Sequence, residues 1–183
     1  MNLREIAGSS NQEMSALIGL HEPYWYAVYT YANHEKSVAR QFEFRAIEHF
    51  LPLYERMSQW KDRRLRIQVP LFSCYVFVRL ALAEKLRIVE VPGVVRLVGF
   101  NGRPSPLPEH EIQGLRAGLS EGAHAAPYPY LQVGHRVRVR SGALQGLSGI
   151  LLKKKNDCRF VLSMELIQRS IAIEIDAADV EAL

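Results

Sequence analysis

The histidines and cysteines are the side chains that most readily bind a metal ion or serve as a nucleophile or general base. Their spacing supports neither role, because no two of them lie two, three or four residues apart, as ligands on one strand or one helical turn would. Cys74 and Cys158 show no zinc-type spacing and are expected to be idle thiols in a reducing compartment. No metal site is expected at the histidines, which are His21, His34, His49, His110, His124 and His135.

Catalytic sequence motifs are missing as well. The chain contains no His-Glu-x-x-His, no Gly-x-Gly-x-x-Gly after a strand, no Walker-type phosphate loop and no Gly-x-Ser-x-Gly. The glycine-rich segment 142–149 lacks the lysine and the helix that would complete an anion site. Glu43 and Glu48 are expected to pair with Arg40 and Arg45 on the surface of a helix. Neither an enzymatic activity nor a cofactor is expected.

The chemistry that remains is that of a binding surface rich in aromatic rings. Seven rings fall on two predicted strands, more than one small sheet needs for its own core. If helices cover only one face of that sheet, the other face is a contiguous apolar patch of the kind that docks a partner. The alternative is a second layer that hides this face. The rings are Trp25, Tyr26, Tyr29, Tyr31, Phe72, Tyr75 and Phe77.

Basic residues form a second candidate surface. Lys36 and Arg40 lie on one face of the first predicted helix, and Lys61, Arg63 and Arg64 lie at the tip of a predicted hairpin. Such a set can follow a phosphate backbone, although a solvated surface is the plainer interpretation. The net charge of +4 and the pI near 9.2 permit a nucleic-acid partner without requiring one.

The length and composition limit what can carry these surfaces. The chain has 183 residues and 48% hydrophobic residues, which suits one ordinary domain or two small ones. No apolar run approaches the ~18 residues of a membrane span, and the N-terminus does not resemble a signal peptide. We therefore expect a cytoplasmic protein without a membrane partner, present as a monomer.

The first part of the chain predicts an α+β sandwich over residues 24–119, preceded by a flexible leader over residues 1–23. Aromatic and β-branched residues at 25–31 predict a central strand, because both of its faces are apolar. A helix with apolar residues every four positions follows, and alternating segments at 53–57 and 65–69 predict a hairpin. Further strands are expected at 71–80 and 94–98 and helices at 81–91 and 109–119, so helices should flank a mainly antiparallel sheet.

The second part predicts a small SH3-like barrel. Residues 120–130 contain small residues and two prolines and suit a linker. From residue 131 to 183 the chain alternates short β-branched segments with glycines at 142, 146 and 149. Several brief strands in 53 residues avoid open edges most simply by closing into a barrel.

Two groups of motifs in this order resemble the NusG family of transcription factors. The strand Trp25 to Tyr29, the segment Pro70 to Val78 and the turn Val91-Pro92-Gly93-Val94 are similar to the family's N-terminal (NGN) domain. The segment from Val133 to Gly149 is similar to the KOW motif of its C-terminal barrel. The resemblance covers residues 24–183.

The resemblance implies a role in transcription elongation and identifies residues for it. It implies that the NGN domain docks on the clamp helices of RNA polymerase and suppresses pausing and termination, with non-template DNA as a further partner. The matching polymerase-binding positions are Trp25, Tyr26, Phe72, Tyr75 and Phe77. The matching tip-loop positions are Leu166, Ile167 and Arg169, which in relatives contact a small-subunit ribosomal protein or Rho.

Departures from the family pattern favour a specialised member. Ser73-Cys74 replaces the usual Pro-Gly before the strand tyrosine, and the tip loop lacks the usual aromatic and glycine residues. Together with the leader, these features resemble the antiterminators of long polysaccharide operons. The alternatives are a general NusG factor coupled to Rho or the ribosome and, from another class, a KOW-containing RNA-binding module of ribosome or RNA maturation.

Overall fold

The computed structural model describes residues 20–60, 63–128, 134–154, 157–176 and 179–183. Within these ranges an α+β sandwich precedes a six-stranded antiparallel sheet, which confirms the fold class expected from the sequence. Of the expected leader, only residues 20–23 are described, and the first strand begins there at Pro23. None of the helices in the described part of the chain is both long enough and apolar enough to cross a bilayer.

The sheet of the first domain has four antiparallel strands. β1 (Pro23–Thr30) lies in its interior, between β5 (Tyr75–Ala81) and β6 (Val94–Leu97), and β2 (His49–Phe50) flanks β5. The central position predicted for the first strand is therefore confirmed, and it follows from the apolar residues on both of its faces.

Two helices cover one face of this sheet. They are α1 (Glu35–Phe44) and α2 (Leu86–Val89), and a 3₁₀ turn at Leu82–Glu84 precedes α2. The expected longer helix at 81–91 is thus reduced to two short turns. Val38 and Phe42 of α1 are fully buried beneath the helix, against Val28, Val76 and Val78 of the sheet.

The other face carries the third helix, α3 (Glu109–Ser120), which runs over residues close to those predicted. Ile112 and Leu115 of α3 pack on Trp25 and Phe77 of the sheet. The sandwich is therefore complete around β1 and β5, with apolar cover on both sides.

Two hairpins extend from the sheet. The long one consists of β3 (Leu53–Trp60) and β4 (Arg63–Pro70), paired from Leu53–Pro70 to Trp60–Arg63. The short one consists of β7 (Gly99–Phe100) and β8 (Arg103–Pro104) around the predicted Asn-Gly turn. Several described side chains of the long hairpin are exposed, so it projects from the domain.

The second domain is an antiparallel sheet curved around its own core. Its strand order is β14–β10–β11–β12–β13–β9, and Val137, Phe160, Leu162 and Ile171 are buried inside it. The strand bounds are β9 (Ala125–Tyr128), β10 (His135–Val139), β11 (Ser148–Lys154), β12 (Asp157–Met164), β13 (Arg169–Glu174) and β14 (Val180–Ala182).

Two local features differ from the expectations. β9 lies inside the segment expected to be a linker, and it pairs with β13 from Tyr128–Ser170 to Ala125–Ile173. The strand expected at 71–80 begins only at Tyr75, because residues 71–74 form a turn in which the Tyr75 amide donates to the Phe72 carbonyl at 3.2 Å. Phe72 therefore belongs to a turn and does not follow the strand alternation.

Candidate functional site

The predicted aromatic surface is present as a cluster, but most of its rings are buried. Trp25, Phe72 and Phe77 are at most 1% exposed. The Phe72 and Phe77 rings meet edge to face with centroids 5.6 Å apart, and Phe50 stacks on Phe77 at 6.3 Å. We call Trp25, Phe50, Phe72, Tyr75 and Phe77 the aromatic face.

Tyr26 does not belong to the aromatic face. Its side chain points to the opposite side of β1, where it packs with Val38 and Phe42 of α1 and is 1% exposed. The strand period of two dictates this, because Tyr26 lies between Trp25 and Ala27, which face α3. Tyr26 is therefore a core residue of the first domain.

Arg116 of α3 covers the outer end of the aromatic face. Its guanidinium lies 5.0 Å from the Trp25 ring centroid and 5.2 Å from that of Phe50. It donates a hydrogen bond to the His49 carbonyl at 3.3 Å and lies 3.9 Å from Glu48. Sequence reasoning did not identify Arg116, whose signal was a basic residue on an amphipathic helix.

The indole of Trp25 leaves one polar group unsatisfied. Among the described residues its Nε1 atom is buried and has no hydrogen-bond acceptor within reach. A buried donor without an acceptor destabilises the arrangement that buries it by ~1–3 kcal/mol. The buried indole N–H is therefore an unfavourable feature of the aromatic face.

Tyr75 is, with Phe50, a partly exposed ring of the aromatic face, and the second domain contacts it. The guanidinium of Arg169, at the start of β13, lies 5.9 Å from the centroid of the Tyr75 ring. The other neighbour of that ring is Tyr29, at 5.4 Å, and Arg96 lies over Tyr29 at 5.7 Å. Burial raises the pKa of the Tyr75 hydroxyl, and Arg169 partly offsets the rise. Two arginines, one from each domain, thus flank a tyrosine pair.

The predicted tip loop of the barrel lies against the first domain. A 3₁₀ turn at Glu165–Ile167 is followed by Gln168 in the left-handed conformation, with φ of 49°. Ile167 is 4% exposed, and Leu166 packs against the core cluster that the two domains share. The structure therefore brings Leu166, Ile167 and Arg169 together with the aromatic face, where the sequence predicted two separate surfaces.

The helix α3 presents two glycines to the barrel. A β-carbon built on Gly114 would lie 3.0 Å from the Leu147 side chain, and one built on Gly118 would lie 2.5 Å from a methyl group of Leu144. Leu144 and Leu147 are 7% and 1% exposed. The missing side chains let these leucines approach the helix closely. The sequence signal was two glycines within a helix, each of which weakens it by about 1 kcal/mol.

The turn before Tyr75 explains one departure from the family pattern. Cys74 has a φ of 67°, a conformation that glycine adopts freely and other residues adopt at a cost. Its amide donates a 2.7 Å hydrogen bond to the carboxylate of Glu35, which is 5% exposed at the start of α1. Burial raises the pKa of the Cys74 thiol; Glu35 adds to the rise and Arg169 opposes it. Cys74 therefore keeps a glycine-type turn without glycine.

The predicted basic surface is only partly described. Lys36 donates to the Gln68 carbonyl at 2.5 Å, which ties α1 to the long hairpin. Arg40 and Arg64 are exposed. Lys61 lies outside the described residues, and the side chain of Arg63 is not among those described. The described part of this basic set therefore consists of Lys36, Arg40 and Arg64.

Comparisons with known proteins place this chain in a family. The family model described as "Transcription termination factor nusG" matches residues 23–116 of this chain. The chain belongs to the NusG family and is a NusG-type transcription factor.

Individual relatives agree with this assignment. The chain is 24% identical over 180 residues to the transcription termination/antitermination protein NusG of Lactococcus lactis, covering 86% of this chain and 91% of that protein. It is 26% identical over 172 residues to NusG of Helicobacter pylori, covering 87% of this chain and 98% of that protein. A solved structure described as "Domain interaction in Thermotoga maritima NusG" shares the fold, with a TM-score of 0.53. The two chains are 19% identical, and the match covers 88% of this chain and 98% of that chain.

Proposed function

We propose that this chain binds bacterial RNA polymerase through the aromatic face and suppresses pausing and termination without enzymatic chemistry. We propose further that it is a specialised antiterminator, acting in the cytoplasm as a monomer. Membership of the NusG family supports a role in transcription. The aromatic face supports docking, since Tyr75 is partly exposed above the buried rings of Trp25, Phe72 and Phe77.

The observation that carries the proposal is the position of Arg169 over Tyr75. The polymerase and the barrel tip would compete for this ring, so the described arrangement is a closed state. Polymerase docking then requires the barrel to leave.

Opening would also free the barrel tip. Leu166, Ile167 and Arg169, which contact or lie near the first domain in the closed state, would become available to a small-subunit ribosomal protein or to Rho. Because one event uncovers both surfaces, binding at either one favours binding at the other. The missing aromatic and glycine of the tip loop favour the specialised factor over a general Rho-coupled one.

The basic surface suits a supporting role toward non-template DNA. Lys36 and Arg40 on α1 and Arg64 on the hairpin are exposed and positively charged, and Lys61 and Arg63 complete the basic set expected from the sequence. Contacts of this kind are sequence-independent and weaken as salt rises. They would orient the strand while the aromatic face supplies the affinity for polymerase.

A KOW-containing RNA-binding module is the second candidate, from another class. It is favoured only by the basic residues, and it predicts binding that falls steeply between low and moderate salt. Docking through apolar rings predicts a weaker dependence on salt. Measuring both affinities over the same salt range separates the two functions.

The direct test is transcription in vitro on a pausing template with the full chain. Tyr75→Ala should abolish the effect on elongation while the protein remains folded, because the ring is partly exposed at the edge of the core. Tyr31→Ala is the matched control, since Tyr31 is 60% exposed, meets the His34 ring edge to face and is not part of the aromatic face. Full activity of the folded Tyr75→Ala protein would refute this docking site.

A further inference from the structure

The chain that joins the two domains is bound to both of them. After α3 the Ala123 amide donates to the Gly118 carbonyl at 2.9 Å, around Gly122 with a φ of 87°. This is the hydrogen-bond pattern of a Schellman cap, which ends the helix firmly. The next residue, His124, accepts a 3.2 Å hydrogen bond from the Glu174 amide of β13. The end of α3 is therefore tied directly to the barrel.

β9 continues this attachment along the edge of the barrel sheet. Its four residues pair with residues 170–173 of β13. Hydrogen-bonded pairs alternate in an antiparallel ladder, so the bond from Glu174 to His124 places Pro127 at a non-hydrogen-bonded position. The missing N–H of Pro127 therefore removes no bond to β13, which is how an edge strand tolerates proline.

Few interactions hold β9 in place. Its first three residues, Ala-Ala-Pro, are poor strand formers, and the second and third are exposed. Its main apolar contact is made by Tyr128, which packs against Ile150, Val161 and Ala172 of the barrel. The composition that predicts a linker is thus that of a strand which can be displaced.

Release of β9 would change the length of chain between the domains. With β9 paired, even an opened turn after α3 frees only residues 121–124, which span at most about 14 Å. With β9 unpaired, residues 121–134 precede β10 and can span up to about 50 Å. The shorter connection also raises the effective concentration of the barrel at its contacts with the first domain.

We propose that β9 is a strap: while it pairs with β13 it holds the barrel at the end of α3, and it must leave β13 before the domains separate. The inference rests on the closed and open states of the proposed function and adds the element that controls the change between them. Release would also uncover the backbone edge of β13, the strand that begins at Arg169 of the tip loop.

The first test measures closure in the full chain without polymerase. Ala126→Pro removes the amide that faces Ala172, at an exposed position. We expect the Glu174 amide to exchange with solvent about tenfold faster or more. The nuclear Overhauser effect between the Leu144 methyl groups and the Gly118 α-protons, which lie close together in the closed state, should fall about twofold or more. Ala126→Ser keeps the amide and should match the wild type.

Protection of the β12 amides shows whether the barrel of Ala126→Pro remains folded. In a folded barrel, a fast-exchanging Glu174 amide with an unchanged interdomain signal would overturn the strap. A Glu174 amide that keeps its protection despite the proline would overturn the pairing on which the strap depends. If the barrel does not fold, the crosslink described next decides the question.

The second test fixes β9 on β13. Ala126→Cys with Ala172→Cys, in a chain with Cys74→Ser and Cys158→Ser, allows a disulfide between the strands, because hydrogen-bonded antiparallel pairs have Cα atoms about 5.5 Å apart. The oxidised protein should bind RNA polymerase about tenfold more weakly or worse than the reduced protein, since its binding-competent open state is depopulated.

The matched control is Ser163→Cys with Ser170→Cys, a facing pair whose crosslink joins β12 to β13 and leaves β9 free. It should bind polymerase equally well when oxidised and when reduced. Equal binding by the two forms of the protein crosslinked through β9 would overturn the strap. Absence of binding in both forms, with the expected loss of the interdomain signal in Ala126→Pro, would refute only the proposed docking.

Discussion

The guanidinium of Arg169 lies 5.9 Å from the centre of the Tyr75 ring, and this contact joins two surfaces that the sequence assigned to different partners. Tyr75 belongs to the face proposed to dock on polymerase, and Arg169 belongs to the loop proposed to recruit a second protein. One contact therefore makes the availability of both surfaces depend on the separation of the domains.

Replacing Arg169 should open the domains. A cation above an aromatic ring contributes about 0.5–2 kcal/mol depending on its burial, so Arg169→Ala should raise the ratio of open to closed molecules by about 2- to 30-fold. The measurement is the nuclear Overhauser effect between the methyl groups of Leu144 and the α-protons of Gly118, which lie close together in the closed state. Arg138→Ala, an exposed arginine on β10, should leave that ratio unchanged. An unchanged ratio in Arg169→Ala would mean that the contact does not contribute to closure.

Filling the space at Gly118 should separate the domains without unfolding them. Gly118→Ala places a β-carbon 2.5 Å from a methyl group of Leu144, and overpacking of this kind disfavours the closed state by roughly 1–3 kcal/mol. The same change favours the helix by about 1 kcal/mol. Hydrogen exchange should therefore show equal or slower exchange within α3 and faster exchange at Leu144.

The control for this wedge is Gln113→Ala, which changes helix propensity at an exposed position of α3. It should slow exchange within the helix slightly and leave Leu144 as in the wild type. If Gly118→Ala also leaves Leu144 protected, the barrel leucines adapt to the added carbon and the glycine is not required for closure.

Glycine at position 74 should stabilise the first domain. Cys74 adopts a φ of 67°, which disfavours a non-glycine residue by about 1–2 kcal/mol, and the greater freedom of glycine in the unfolded chain offsets part of the gain. Cys74→Gly should therefore raise the free energy of unfolding in urea by about 0.5–1 kcal/mol. Ser73→Gly, whose backbone is not left-handed, should lower it. Destabilisation by Cys74→Gly would show that the thiol's packing outweighs the backbone strain.

Glu35 should be required for the same turn. Its carboxylate accepts the Cys74 amide at 2.7 Å in a largely buried position, so Glu35→Ala leaves that donor without its acceptor and should lower the free energy of unfolding by about 1–3 kcal/mol. Glu35→Gln retains an acceptor oxygen and should recover most of the loss. Equal unfolding free energies for the alanine variant and the wild type would contradict this role.

Much of the fold was predictable because local patterns determine it. The apolar residues on both faces of β1 predicted an interior strand, and the four-residue repeat of apolar positions predicted α1. The strand before Tyr75 was predicted too long, because alternation of apolar residues does not distinguish a strand from the turn that Cys74 makes. The sequence also predicted a linker where β9 pairs with β13, since its small residues and proline gave no strand pattern.

Which residues cover the aromatic face was not predictable from local patterns. The excess of aromatic rings was recognised, but the sequence left open whether a second layer covers them. The cover comes from Arg116 on α3 and from Arg169, which lies 94 positions after Tyr75 (169 minus 75) in another domain. No periodicity relates residues so far apart.

The most direct test of the account is the distance between the domains when RNA polymerase is added. Donor and acceptor dyes at the exposed positions Glu43 and Glu174, introduced as cysteines in a chain with Cys74→Ser and Cys158→Ser, report this distance by energy transfer. The account predicts high transfer in the free protein and a loss of transfer upon binding of polymerase, with no binding by Tyr75→Ala. Tight binding of polymerase with unchanged transfer would contradict it.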